Sequence, residues 1–248
     1  MLYICMHIFN AKHMQGVSIY RADKLALGKV IRTWDMSSLG VLTGNAEIYR
    51  LAHSWIAHLI GMGYRVHVID CAIRFNVYRM MEEVSLLGGD VQLFLDTGSV
   101  QRAFTPYQIL DVCLGILNRR KSASDIYFVL APSKQFFDGD VKTQEGFFLL
   151  EKLISVFEAM QSSGIPIVAV ESRKYRHKTF QFLFPRLVAS ANANWEYNTL
   201  KLGRETFQRF EVSYKNTVVG HTQYRLEIAG GENGKNGNAL FESGGRDW

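Results

Sequence analysis

Between residues 39 and 170 the apolar residues fall by turns into short unbroken runs and into helical periodicity. Leu39–Thr43 is an apolar run that ends at Gly44, and Ile48, Leu51, Ala52, Trp55, Ile56, Leu59 and Ile60 then recur at the three-and-four spacing of a buried helix face. Gly61-Met62-Gly63 stops that helix, and Tyr64–Asp70 reads as a buried strand. Tyr78, Met81, Val84 and Leu87 mark one face of the next helix, and Val91–Leu95 reads as another strand. Pro106 stands where the first turn of a helix accepts it, and Ile109–Leu117 continues that helix. Ile126–Leu130 is a further strand, and Phe147, Leu150, Ile154 and Phe157 mark a long helix ending near Gly164, before a strand at Ile165–Val170.

Strands alternating with helices of this length predict an α/β fold, a mostly parallel sheet covered on both faces. Beyond residue 186 the pattern changes. Phe207–Tyr214 and Tyr224–Ala229 read as strands joined by turns at Asn216 and Gly220, which predicts an antiparallel extension of the same sheet. Residues 1–35 read as an N-terminal arm or first strand, 36–229 as the core, and 230–248, rich in Gly and Asn, as a mobile tail. No repeat or linker divides the chain, so a single domain is expected.

Composition narrows the classes. Hydrophobic residues make up 48% of the 248, enough for a sizeable core. His53, His58, Arg65 and His67 interrupt the most apolar early stretch before it reaches membrane-spanning length. Met1–Asn10 is apolar but has no basic leader or clear cleavage site. These features predict an intracellular protein, in cytoplasm or nucleoid/nucleus, without a membrane partner. Cys5, Cys71 and Cys113 are odd in number and widely spaced, a pattern of buried reduced thiols rather than of disulfides or zinc. The net charge is +5, with a pI near 9.1. Residues 171–225 hold ten Lys/Arg against four Glu, a net of +6, so the basic excess is confined to one region and points to a polyanion-binding face.

Two internal segments carry a family resemblance. Val68-Ile69-Asp70-Cys71-Ala72-Ile73-Arg74-Phe75-Asn76-Val77-Tyr78-Arg79 resembles the I-D-T-E-G-T-F-R-P-E-R stretch of the RecA/RadA recombinases. Arg102-Ala103-Phe104-Thr105-Pro106-Tyr107-Gln108 resembles that family's R-A-F-x-x-x-Q segment, in the same order along the chain. The ending Leu240-Phe241-Glu242-Ser243-Gly244-Gly245-Arg246-Asp247 is faintly similar to the family's F-x-I-x-x-x-G-x-x-D. The resemblance spans roughly residues 36–247. It implies a RecA-like core, a mostly parallel sheet flanked by helices with a C-terminal antiparallel strand extension.

The departures fall on the chemistry. A phosphate-binding loop needs glycines so that backbone N–H groups can wrap the phosphates, a Lys for their charge and a Ser/Thr for magnesium. Gly44-Asn45-Ala46-Glu47-Ile48-Tyr49 occupies that place with one glycine, no Lys, no hydroxyl at the magnesium position and a Glu that repels phosphate. Ala72 stands where the resemblance implies the water-activating Glu, and Ala131 where it implies the metal-supporting Asp. Gly44, Asn45, Glu47, Tyr49, Asp70, Ala72 and Ala131 therefore form the candidate degenerate nucleotide site, a pseudo-ATPase without cofactor or catalytic residue. Asp70, at the sheet's C-terminal edge, either caps a turn or orients a ligand.

Other chemistry is sparse. Asp138 and Asp140 flank Gly139 as a solvated loop, and the seven His residues do not cluster, so no metal is expected. Arg173, Lys174, Arg176, His177 and Lys178 follow the last parallel strand, interleaved with Tyr175, Phe180 and Phe182 and followed by Arg186. The resemblance implies single-stranded DNA contact for the loop leaving this strand, and cations with aromatic faces are the groups such contact uses. The expected function is a DNA-binding accessory or recombinase paralogue in recombination or repair, with salt-sensitive DNA binding and RecA-like subunits as partners in a homo- or hetero-oligomer. The alternatives are a nucleotide-binding ATPase with a rebuilt phosphate loop and a pure protein–protein adaptor.

Overall fold

The computed structural model of the chain describes residues 34, 36–45, 47–119, 122–202, 205–214 and 217–226. The readings placed on Met1–Asn10, Cys5, the tail from Gly230 and Leu240–Asp247 lie outside those residues. The strands are β1 (Leu39–Gly44), β2 (Arg65–Asp70), β3 (Ser99–Arg102), β4 (Asp125–Leu130), β5 (Ile167–Ser172), β6 (Ala193–Leu202), β7 (Glu205–Tyr214) and β8 (Thr217–Leu226). The helices are α1 (Ile48–Gly61), α2 (Val77–Leu86), α3 (Val91–Thr97), α4 (Pro106–Leu117), α5 (Thr143–Ser162) and α6 (Lys178–Ser190), with a 3-10 turn at Lys134–Phe137.

All eight strands form one sheet in the order β3-β2-β4-β5-β1-β6-β7-β8. The first six run parallel, and β7 pairs antiparallel with both β6 and β8. This is an α/β fold consistent with a RecA-like mostly parallel sheet. The middle strands β1 and β5 are buried at every position, as a sheet covered on both faces requires. α1, α2 and α3 supply one core, where Trp34, Trp55 and Trp195 meet edge to face. α4, α5 and α6 supply the other, centred on Phe136, Leu153, Phe157 and Leu183.

Helix ends follow local chemistry. Asn76, Asp90, Thr105 and His177 each accept a backbone N–H of the following turn, at Arg79, Gln92, Gln108 and Thr179. α1 ends at Gly63, whose φ of 91° is left-handed backbone that a side chain would resist.

Three readings need correction. Val91–Leu95 is helix α3, and the strand falls later, at Ser99–Arg102. Asp90 caps α3, and Phe94 is its buried residue, so the apolar alternation of Val91, Leu93 and Leu95 has no second layer to pack on. In α2 the buried face is Met80, Glu83 and Val84, while Tyr78 is 73% exposed. Gly220 is not a turn. It lies within β8 opposite the register shift at Val212/Ser213, the place in a ladder where glycine marks a bulge.

Candidate functional site

Because β1 to β6 run parallel, their carboxyl ends share one edge, the place where open α/β sheets hold ligands. Gly44 ends β1, Asp70 ends β2, Ala72 follows β2, and Ala131 follows β4, so the residues singled out from the sequence do gather here. What they do locally differs from what a nucleotide would need.

Three residues, Asn45, Ala46 and Glu47, separate Gly44 from the first residue of α1, and none is the second glycine that a phosphate loop uses. The loop also uses its own donors. The Glu47 N–H donates to Asn45 Oδ1 at 3.0 Å, and the Ile48 N–H donates to the Asn45 carbonyl at 3.2 Å. A Cβ on Gly44 would overlap the Tyr197 carbonyl oxygen of β6. The glycine is therefore explained by the close approach of two strands, with no phosphate required.

Tyr49 fills the space beside this turn. Its ring is buried, with the Arg74 guanidinium 5.1 Å above its centre, and its hydroxyl lies 3.5 Å from the Tyr175 hydroxyl. Burial pushes the Tyr49 phenol far above its ordinary range, with the negative charge of Glu171 next in effect. Tyr175 shifts upward for the same reasons, and Arg74, which reaches its hydroxyl, opposes the shift.

Asp70 is fully buried, and both its oxygens are occupied. It accepts the N–H groups of Ala72 at 3.3 Å, Arg74 at 2.8 Å and Phe75 at 3.2 Å, with Arg102 Nε 3.9 Å away. This holds the β2–α2 corner, including Ile73 at a φ of 53°, a left-handed conformation rare outside glycine. Of the two roles open to Asp70, the hydrogen bonds are those of turn capping. Ala131 also has a φ of 53° and is fully buried, with its N–H on the Val170 carbonyl.

The residue that sequence reading missed is Glu171. It sits fully buried at the end of β5, accepting the Ser133 N–H at 2.9 Å and the Ser172 N–H at 3.0 Å. Burial raises its carboxyl from 4.5 to about 7, against the pull of those N–H groups and of Arg74. A sequence signal existed: one acid at the end of an otherwise apolar strand, Ile167-Val168-Ala169-Val170-Glu171. A carboxyl near 7 is poised for proton exchange, but with both oxygens committed and no exposure it cannot reach a substrate.

The basic segment divides in two. Arg173, Lys174, Arg176 and Lys178 are exposed, and Arg173 pairs with Glu196. Tyr175, His177 and Phe180 pack together around Phe137, with His177 stacked on it at 5.2 Å and 12°. Phe180 is 3% exposed, so it serves the interior rather than a base-stacking face. Arg186 lies farther along α6 and pairs with Glu151. Phe182 is 64% exposed and packs on Phe147 of α5.

Among the described residues no group of three His, Cys, Asp or Glu could hold a metal, and no helix is long and apolar enough to cross a membrane. Cys71 and Cys113 are buried and free. No protein-family model matches the chain, and no curated protein matches it.

Proposed function

We propose that this chain is a RecA-like protein that binds DNA without hydrolysing ATP, an accessory or paralogue acting beside recombinases in recombination or repair. The observation that carries the reading is the division of labour along the C-terminal edge of the sheet. At the end of β1, the phosphate loop's place is taken by a three-residue turn whose N–H groups serve Asn45 and by the buried Tyr49. At the adjacent strand end, that of β5, the exposed cations Arg173, Lys174, Arg176 and Lys178 crowd into six residues. Phosphoryl transfer depends on positioned cations and carboxylates around the phosphates, and the first region offers none at the positions the resemblance assigns. Polyanion binding depends on solvated cations that release counterions, and the second supplies them. The link to recombination and repair rests on the resemblance of residues 68–79 and 102–108.

The test is DNA binding against salt. Each phosphate neutralised on a single strand adds about 0.7 to the magnitude of the log–log slope. Replacing Arg173, Lys174, Arg176 and Lys178 together by Ser should weaken binding at every sequence and flatten the slope by up to about 2.8, four contacts' worth. Unchanged affinity and slope would remove this segment from the interface. Absence of DNA binding by the wild type even at low salt would favour an adaptor that keeps the fold alone.

A further inference from the structure

The two corners beside the basic segment carry a second, unassigned cluster. β3 ends on Arg102, with Phe104 and Tyr107 just beyond it, and past the end of β2 come Arg74 and Tyr78. The corners are neighbours because β2 and β3 pair in parallel, with Asp70 opposite Arg102. Their aromatic rings are out in solvent: Tyr78 is 73%, Tyr107 56% and Phe104 44% exposed. With Ile73, Val77 and Val100 they make up half of the exposed large apolar side chains among the described residues, all of them within β3 or in the residues just after β2 and β3. Such a patch marks an interaction site rather than ordinary surface.

The charges choose the partner. The acid between the corners, Asp70, is fully buried and spends its oxygens on three backbone N–H groups, so it offers nothing outward. Glu171 is buried too, and the exposed Asp138 and Asp140 lie on the turn after Lys134–Phe137. Glu145 of α5 is engaged by the Tyr107 hydroxyl at 2.6 Å. What faces solvent at the corners is the Arg102 cation beside the rings of Tyr78, Phe104 and Tyr107, the groups that hold a phosphate backbone while stacking its bases, whereas the half-buried Arg74 is held over the Tyr49 ring. The row is also continuous with the proposed contact segment. Arg102 ends β3, the half-buried Arg74 follows β2, Lys134 follows β4 and Arg173–Lys178 follow β5, in the order in which those strands stand in the sheet. At about 4.8 Å per strand, the row from β5 to β3 covers about 15 Å.

We propose that the β2–α2 and β3–α4 corners form a base-stacking extension of the DNA site, with Tyr78 and Phe104 as stacking faces and Arg102 as a phosphate contact for a single strand laid across the C-terminal edge. This rests on the DNA-binding reading above and gives it a path and a second chemistry. Charge and stacking have separate signatures. Arg102→Ser removes one phosphate contact and flattens the salt slope by about 0.7. Tyr78→Ala with Phe104→Ala removes stacking. It lowers affinity about five- to a hundredfold for each ring that stacks and leaves the slope as it was. All three side chains are substantially exposed, so the variants should fold.

The experiment measures a labelled oligo-dT titrated with full-length wild type, Arg102→Ser, Tyr78→Ala/Phe104→Ala and the quadruple Ser variant, across a salt series. Weakened binding at constant slope in the aromatic variant, with a reduced slope in Arg102→Ser, supports the extension. Wild-type binding by both, beside a deficient quadruple variant, overturns the extension and leaves the basic segment as the DNA site. Wild-type DNA binding by the aromatic variant together with a change in its oligomeric state assigns the corners to a protein joint, and the extension falls. No binding by the wild type at any salt overturns both.

Discussion

At the scale of single residues, two positions decide how the C-terminal edge is built. Gly44 has no room for a side chain, because a Cβ would meet the Tyr197 carbonyl. Gly44→Ala should therefore cost about 1–3 kcal/mol of stability, as overpacking does, in a urea titration. A stability equal to wild type would show that β1 and β6 are less closely apposed. Glu171 gives a pH signature. Its carboxyl sits at about 7 in the fold against 4.5 as its ordinary value, so the fold binds the proton more tightly than the open chain. That stabilisation is complete below about 4.5 and is lost as pH rises through about 7, a fall of order 3 kcal/mol. His53 works in the opposite direction. It is buried, its Nδ1 is 2.5 Å from the Tyr49 carbonyl, and its Nε2 accepts the Asn76 N–H, an arrangement that suits the neutral ring. Burial lowers its pKa, so it withdraws stability as pH falls below 6.5. Glu171→Gln removes the first slope and keeps the second, at the cost of facing an amide NH2 toward a backbone N–H. The stability gap between wild type and Glu171→Gln should narrow from pH 5 to pH 8. A constant gap would mean that Glu171 is ionised throughout.

At the scale of elements, what could be read depended on whether burial repeats along the chain. β1, β2, β4 and β5 and helices α1, α4 and α5 were legible, because a covered parallel sheet writes continuous apolar runs and its helices write a regular stripe. β3 was not: all four of its residues are exposed on an edge, so no pattern marks it. α6 escaped notice because Pro185 sits inside it and Phe182 points outward, yet Thr179, Phe180, Leu183 and Leu187 line its buried side. The site divides in the same way. The Gly44–Tyr49 turn, Asp70, Ala72 and Ala131 could be singled out because each ends or follows a legible strand. Sequence reading missed Glu171, whose environment comes from the carboxyl ends of β4 and β5 meeting in space. It also took the aromatics at residues 175–180 for a stacking face, since spacing alone cannot tell a ring packed on Phe137 from one in solvent.

At the scale of the whole molecule, the described residues form a sheet of eight strands with a core on each face, and Tyr49 is buried at the carboxyl edge of that sheet. A ligand shifts an assembly only through different affinities for its states, so the proposed loss of the nucleotide site carries with it the loss of ATP control over contacts. Any oligomer formed by this chain, or with a RecA-like partner, should have the same size by light scattering with and without ATP and magnesium. An ATP-dependent change in size would mean that the Gly44–Tyr49 turn opens to admit nucleotide. The most direct test of the central claim is the rate of ATP hydrolysis by the purified full-length protein with magnesium and single-stranded DNA. The account predicts a rate equal to that of buffer. Turnover above buffer that is lost in Glu47→Ala, a change at an exposed position that leaves the fold intact, would contradict it and make this chain an ATPase with a rebuilt loop.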